Sequence, residues 1–261
     1  MTTALTTPVL APLTPVTATL TTMFGTSTEI AGLAPDLLVH DQTNWTPASE
    51  LAETKLDLLL ATAGRRWNAQ PHAAAALAWK AYTYWSALPA VLGYASARRV
   101  PLLSSDNVLV HFNDPRPLLT LGLRAGIPVA VLPNDPLALT ADPRVRVVAD
   151  EEALLAELRR SLLDNHLTPL LNAIHGRVRL GKRTLLGSLA SGVAYGILRS
   201  ADAVPGSSAD TITTLHRALG VEDLTELVTD QNGQLDVQRK TCCLAFTLPK
   251  PKVCSGCCIK N

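Results

Sequence analysis

Apolar residues recur at helical spacing in two long stretches of the first hundred positions. Residues 48–63 are predicted to form a helix, with Thr46 as its N-cap and Pro47 at its first position, where a missing N–H costs nothing. A second helix is predicted over residues 71–88. Pro89 is expected to end it, because proline cannot donate the helical hydrogen bond and its ring clashes with the preceding turn.

The pattern changes to short β-branched runs after residue 100, bounded by Asn, Asp, Pro and Gly. Strands are predicted at 108–112, 127–132 and 146–149. Helical spacing then returns, and helices are predicted across most of 150–204, at 211–219 and at 222–229. Helices, a few strands and more helices, without strict alternation, indicate an α+β fold that is mostly helical with a small central β-sheet.

The overall charge excludes several classes of partner. The 261 residues include 23 Lys and Arg against 22 Asp and Glu, and only 17% of all residues are charged. No global field attracts nucleic acid, so we expect no nucleic-acid partner. No apolar run reaches the roughly 20 residues that a transmembrane helix needs. Residues 1–23 lack the basic start of a secretory signal, and we therefore expect a cytoplasmic protein.

Two familiar site patterns fail in this sequence. Residues 176–183 approach a phosphate loop, but Arg183 stands where Ser or Thr must bind magnesium, so nucleotide binding is disfavoured. The six histidines are scattered without metal-ligand spacing and are predicted to be structural. They are His40, His72, His111, His166, His175 and His216.

All five cysteines lie within the last 20 residues. Cys242, Cys243, Cys254 and Cys257 place four sulfurs within 16 positions, and Cys258 is surplus to that set. Clustered thiols in a reducing compartment more often hold a metal than form disulfides. Cys-x-x-Cys lets two sulfurs converge, whereas adjacent cysteines diverge unless the chain kinks or two metal atoms share the site. The spacing leaves iron–sulfur and structural zinc both open.

The cysteine segment resembles a known family. Residues 239–244, Arg-Lys-Thr-Cys-Cys-Leu, followed by Cys254-Ser-Gly-Cys257, are similar to the C-terminal signature of FhuF-like ferric siderophore reductases. Residues 166–171 and 184–188 resemble a helical segment of that family more weakly, with Leu186 where Trp is expected. The resemblance implies a [2Fe-2S] cluster bound by Cys242, Cys243, Cys254 and Cys257.

This resemblance divides the chain into a substrate-binding body, 1–236, and a cluster-binding segment, 237–261, which does not fold independently. The segment has five basic and no acidic residues. Arg239 and Lys240 are predicted to stabilise the cluster, which becomes more negative on reduction.

The family activity is one-electron reduction of a ferric siderophore, here expected to be of the hydroxamate type, with release of Fe(II). A ferredoxin or flavodoxin would supply the electron, since the sequence has no nicotinamide or flavin motif. Substrate contacts are predicted at Trp79, Tyr82, Trp85, Arg177, Arg179 and Lys182. The alternative is a noncatalytic zinc module with a structural site of four cysteines. A siderophore synthetase that uses ATP is disfavoured by the failed phosphate loop.

Overall fold

The computed structural model describes residues 11–25, 30–112, 117–254 and 256–259. Its α-helices are α1 (Thr14–Phe24), α2 (Glu50–Glu53), α3 (Leu56–Trp67), α4 (Pro71–Ala97), α5 (Glu151–Leu158), α6 (Thr168–Val178), α7 (Lys182–Arg199) and α8 (Ser208–Leu219). The strands are β1 (Leu33–Val39), β2 (Thr46–Pro47), β3 (Val100–Pro101), β4 (Val108–Phe112), β5 (Leu119–Arg124), β6 (Val129–Val131), β7 (Val145–Val147), β8 (Thr225–Thr229) and β9 (Leu235–Arg239). The fold is α+β, mostly helical with small sheets, as the sequence predicts.

The strands form three small sheets. The first has the order β1-β5-β4-β2, the second β3-β6-β7, and β8 pairs with β9 as an antiparallel hairpin. Parallel pairing occurs between β1 and β5 and between β6 and β7. The predicted strands at 108–112, 127–132 and 146–149 are confirmed within a few residues as β4, β6 and β7.

The longest helix, α4, forms the centre of the core and packs against α1, α3 and α7. The helix is rich in alanine and apolar on nearly every side, as expected for a helix enclosed by other elements. Pro89 does not end it, and α4 continues through this buried proline to Ala97. Packing around the proline offsets the hydrogen bond that its ring removes, so the predicted end at residue 88 is wrong.

The helix predicted over 48–63 is also different in the structure. It is divided into α2 and α3, and Thr46 and Pro47 pair with Val110 and Leu109 as a short strand. Thr46 is therefore not an N-cap. The predicted helix at 222–229 is wrong as well: a 3-10 turn, Glu222–Leu224, leads into β8. The β-branched residues Thr225, Val228 and Thr229 fit a strand.

The helical stretch after residue 150 contains an irregularity that the periodicity did not indicate. Asp150 caps α5 by accepting a hydrogen bond from the Ala153 backbone N–H at 2.9 Å. The chain then continues without a break through a nine-residue π-helix, Arg159–Leu167, into α6. The wider turn places His166 in the core, where it is 2% exposed.

No helix among the residues that the structure describes is long and apolar enough to cross a membrane.

Candidate metal centre at the C-terminal cysteines

The β8–β9 hairpin leads the chain along α7 to the first two cysteines. Val237 of β9 is fully buried, and Thr241 presses against α7 at Gly187. A Cβ atom at Gly187 would lie 1.9 Å from the Thr241 hydroxyl oxygen, a distance that no real side chain tolerates. Glycine at position 187 thus allows the chain to reach Cys242 in close contact with the helix.

The last cysteines return to the same hairpin. The Arg239 backbone N–H donates to the Gly256 carbonyl at 2.9 Å, and the Gln238 side-chain amide donates to the Cys257 carbonyl at 3.1 Å. A Cβ at Gly256 would lie 1.8 Å from the Val237 carbonyl oxygen. These backbone contacts hold the Cys-x-x-Cys pair beside the strand that leads to the adjacent pair.

A sharp turn follows the adjacent cysteines. Leu244 has φ of 61°, a left-handed conformation that is uncommon for leucine. Its backbone N–H donates to the Cys242 sulfur at 3.3 Å, and a 3-10 turn, Ala245–Thr247, comes next. Backbone N–H groups directed at sulfur stabilise the thiolate form of cysteine, which is the form that binds metals.

The five thiols differ in exposure. Cys243 and Cys257 are each 6% exposed, whereas Cys242, Cys254 and Cys258 are half-buried. Burial raises the pKa of the Cys254 thiol, and the nearby sulfurs of Cys243 and Cys257 raise it further. Burial and the Cys242 and Cys257 sulfurs likewise raise the pKa of Cys258. The mutual influence of these sulfurs reflects their closeness in the fold.

One cation of the segment is buried without a carboxylate. Arg239 is 2% exposed, and its Nη2 donates to the Ser188 hydroxyl at 3.1 Å. Its Nε and Nη1 atoms have no hydrogen-bond partner among the described residues, and the same is true of the Thr241 hydroxyl. The positive charge of Arg239 lowers the pKa of Cys254 and Cys258, although burial outweighs it. A guanidinium in this state carries a desolvation cost that an anion would offset.

The other basic side chains of the segment face solvent. Lys240 pairs with Glu226 at 3.7 Å, and both side chains are largely exposed. Lys250 and Lys252 are exposed, and Lys260 lies outside the described residues, as does Ser255. Among the described basic residues of the cysteine segment, only Arg239 is thus buried beside the sulfurs.

The thiols do not form a closed metal site in this structure. Within the described part of the chain, no group of three or more His, Cys, Asp or Glu side chains is arranged so that it could hold a metal ion. Ligation therefore requires the thiol side chains to move from their present positions.

The six residues predicted as substrate contacts are spread over the molecule. Trp79 and Tyr82 are fully buried, with the Trp79 indole donating to the Leu185 carbonyl at 2.7 Å and the Tyr82 hydroxyl donating to His166. Trp85 packs against Phe24 and Tyr84. The three basic residues of the predicted set do not lie beside these aromatic residues.

Arg177 pairs with Asp57 at 2.9 Å. Arg179 follows the end of α6 in a left-handed conformation, and Lys182 begins α7 as an exposed residue. The structure does not bring the aromatic and basic groups together as one set. Of the six histidines, His166 and His216 are buried and hydrogen-bonded to backbone carbonyls, as predicted for structural histidines.

A cavity that sequence reasoning missed lies beside the cysteine segment. It has a volume of about 310 Å³ and lies between α4 and α7, with the indole of Trp67 on one side. The polar side chains and aromatic rings that line it are Trp67, Lys80, Tyr84, Ser188, Ser191 and Tyr195. The sequence shows that these residues have the same spacing on the two helices. It does not show that α4 packs on α7, and this packing forms the cavity.

Comparison with known proteins gives a likeness in fold. No family model and no curated protein matches the chain. One solved structure of aerobactin synthetase IucA from a hypervirulent pathotype of Klebsiella pneumoniae matches with a TM-score of 0.50 and 17% identity, covering 75% of this chain and 37% of that one. The ATP-bound form of that synthetase matches with a TM-score of 0.48 and 19% identity, covering 65% and 31%. The chain thus spans about a third of the synthetase's length.

This comparison corrects the expected activity. Ferric siderophore reduction, implied by the resemblance of the cysteine segment, is wrong, because the solved structure that matches at a TM-score of 0.50 is aerobactin synthetase IucA and not a reductase. At 17% identity, this likeness concerns the fold alone. The synthetase class, which the failed phosphate loop disfavoured, is the one that the fold comparison returned.

Proposed function

We propose that this chain is an iron–sulfur protein that holds a [2Fe-2S] cluster on Cys242, Cys243, Cys254 and Cys257. The observation that carries the proposal is the buried Arg239 guanidinium, with two N–H groups unpartnered among the described residues, beside sulfurs that belong to the same folded segment. A cluster with four thiolate ligands is anionic and would supply the missing counter-charge.

The donor set supports two metal atoms over one. Adjacent cysteines direct their side chains apart, and a two-iron cluster spreads its ligands over two centres. The hydrogen bonds from the Arg239 backbone N–H to Gly256 and from the Gln238 side-chain amide to Cys257 bring both cysteine pairs to one end of the hairpin. All four ligands would then come from residues 237–261, which we propose as the cluster-binding segment on a body formed by 1–236.

When bound, such a cluster accepts and gives up single electrons. The residues of the chain would set the conditions for that exchange. Buried Cys243 and Cys257 would keep water from part of the site, and the Arg239 charge would favour the more negative, reduced state. Half-buried Cys242 and Cys254 would lie toward the surface, where a carrier approaches.

The exposed lysines of the segment support an acidic electron carrier, such as a ferredoxin or flavodoxin. Lys250 and Lys252 are exposed on the loop between the two cysteine pairs. Opposite charges speed encounter, and salt screens the effect. Electron transfer from such a carrier should slow as ionic strength rises from about 0.01 to 0.15 M, and a rate that does not respond to salt would contradict this partner.

The deciding experiment is metal and sulfide analysis of protein purified without oxygen. We expect about two iron and two acid-labile sulfide per chain, with the visible absorbance of a [2Fe-2S] centre. Colourless protein with one zinc per chain would overturn the proposal and favour a structural zinc module.

Two matched substitutions locate the ligands. Cys243→Ser should abolish the visible absorbance and lower bound iron at least about tenfold, because serine replaces one of the thiolates that hold the cluster. Cys258→Ser should leave both unchanged, since Cys258 lies outside the set of four. If Cys258→Ser destroys the centre and Cys243→Ser does not, the ligand assignment is wrong.

A synthetase-type role is the second candidate, and the likeness to aerobactin synthetase in fold supports it. The near match to a phosphate loop does not add support, since Gly176 lies within α6 and Gly181 directly precedes α7, with no strand before them. Titration of the purified protein with Mg·ATP is the simplest check. Binding in the micromolar range would favour this candidate, and none up to about 5 mM would exclude a nucleotide-driven synthetase.

A further inference from the structure

The cavity between α4 and α7 has features of a ligand site that are independent of any metal. Residues 77, 80, 81 and 84 of α4 line it, and residues 188, 191, 192 and 195 of α7 line it with the same spacing. Because the residues of each set are three, four and seven positions apart, they lie on one face of their helix. Two facing stripes and the Trp67 indole thus enclose one space.

The helices approach closely where small residues meet the larger ones. A Cβ at Gly192 would lie 3.5 Å from the Tyr84 Cα, and one at Gly196 would lie 3.0 Å from a Leu88 methyl carbon. The cavity volume of about 310 Å³ is at the lower end of the range for small-molecule sites, roughly 300 to 1,000 Å³. A ligand of one or two rings would fill it.

The lining combines aromatic faces with one cation. Trp67, Tyr84 and Tyr195 supply aromatic surface. Lys80 supplies the positive charge, and no carboxylate among the described residues forms an ion pair with it. Flat rings stack on aromatic side chains, and a carboxylate forms a charge-assisted hydrogen bond with an ammonium group.

The cavity shares its wall with the cysteine segment. Ser188, which lines it, accepts the hydrogen bond from buried Arg239. Tyr195, which also lines it, donates to the Val237 carbonyl at 3.4 Å. Lys80 lies near enough to Cys254 for its charge to lower the pKa of that thiol. A ligand here would contact groups that touch the cysteine segment directly.

We propose that this cavity binds a flat aromatic carboxylate, with its ring against Trp67, Tyr84 and Tyr195 and its carboxylate on Lys80 Nζ. The site does not depend on the proposed cluster, because all of these side chains belong to α4, α7 and the end of α3. Binding and metal content can therefore fail separately.

Calorimetric titration with naphthalene-2-carboxylate tests the proposal, with the uncharged naphthalene-2-carboxamide as the matched ligand. We expect the carboxylate to bind at least about tenfold more tightly than the amide, which lacks the charge that Lys80 attracts. No binding of the carboxylate up to about 5 mM, or equal binding of the two, would overturn the proposal.

Three variants test where the ligand binds. Lys80→Met should remove the preference for the carboxylate, whereas Lys55→Met, at a position outside the cavity, should retain it. Ala81→Trp should fill the space and weaken both ligands more than tenfold, with folding checked by circular dichroism. Binding that neither Lys80→Met nor Ala81→Trp weakens would show that the ligand lies elsewhere.

Discussion

The α4 core and the cysteine segment differ in whether their buried polar groups have hydrogen-bond partners. In the core, Trp79 donates to a carbonyl, Thr83 donates to the Trp79 carbonyl at 2.8 Å, and Tyr82 and His166 pair with each other. In the cysteine segment, Arg239 and Thr241 keep polar atoms that no described group satisfies. These core groups are satisfied as they stand, while the segment has the features of a site that another group completes.

The largest effect is expected at the buried pair of Tyr82 and His166. His166 donates through Nδ1 to the Leu103 carbonyl at 2.8 Å, and its Nε2 accepts from Tyr82. Burial lowers the pKa of His166 to about 4 from an ordinary 6.5. The unfolded chain therefore binds a proton between these values while the folded chain does not, so stability should fall as pH drops from about 6.5 to 4.

The loss should be on the order of 3 kcal/mol, and urea unfolding at pH 7 and pH 4.5 measures most of it. His166→Gln should flatten that pH dependence, whereas exposed His40→Gln should leave it as in the parent. A steep dependence that survives in His166→Gln would show that another group controls it.

The next effect is expected at the contact between α7 and the cysteine segment. Gly187→Ala adds a methyl group where Thr241 already lies, and we expect it to destabilise the protein by about 1 to 3 kcal/mol. Gly176→Ala, in α6 with nothing within 4 Å of the added carbon, should be neutral or stabilising by up to about 1 kcal/mol. Thermal unfolding of both variants gives the comparison, and equal effects would mean that the contact at Thr241 is not tight in solution.

The smallest effect is expected at the buried charge of Arg239. In metal-free protein, Arg239→Met should raise stability by about 1 kcal/mol, since it removes a buried cation whose Nε and Nη1 atoms have no hydrogen-bond partner among the described residues. In metal-loaded protein the same change should be destabilising and should lower the reduction potential, because an anionic cluster loses its nearest buried cation. The exposed Arg183→Met should behave alike in both forms. An effect of one sign throughout would contradict the proposed role of Arg239.

The sequence predicted those elements whose cause is local. The start of a helix near residue 150 and the strand at residues 108–112 follow from side-chain chemistry and β-branching within a few positions. The passage of α4 through Pro89 depends on enclosing helices, and the pairing of Thr46 with Val110 joins distant residues. No local pattern contains that information.

The candidate site divides in the same way. Clustered thiols and nearby cations are visible in the sequence, so the cysteines and Arg239 could be named in advance. The burial of Arg239, its bond to Ser188 and the cavity beside it arise from the packing of α7 on α4 and β9. The activity implied by the short cysteine resemblance was wrong, since about 25 residues carried it.

The π-helix between α5 and α6 also fixes the angular phase of α6. Each residue turns an α-helix by about 100° and a π-helix by less, so winding Arg159–Leu167 as α-helix at its present length would rotate every later side chain of the element about its axis. Leu170, Leu171 and Ile174 would then leave the interior. The wide turn thus sets the rotation of α6, and substitutions at its exposed positions should be tolerated far better than changes that impose regular α-helical winding on it.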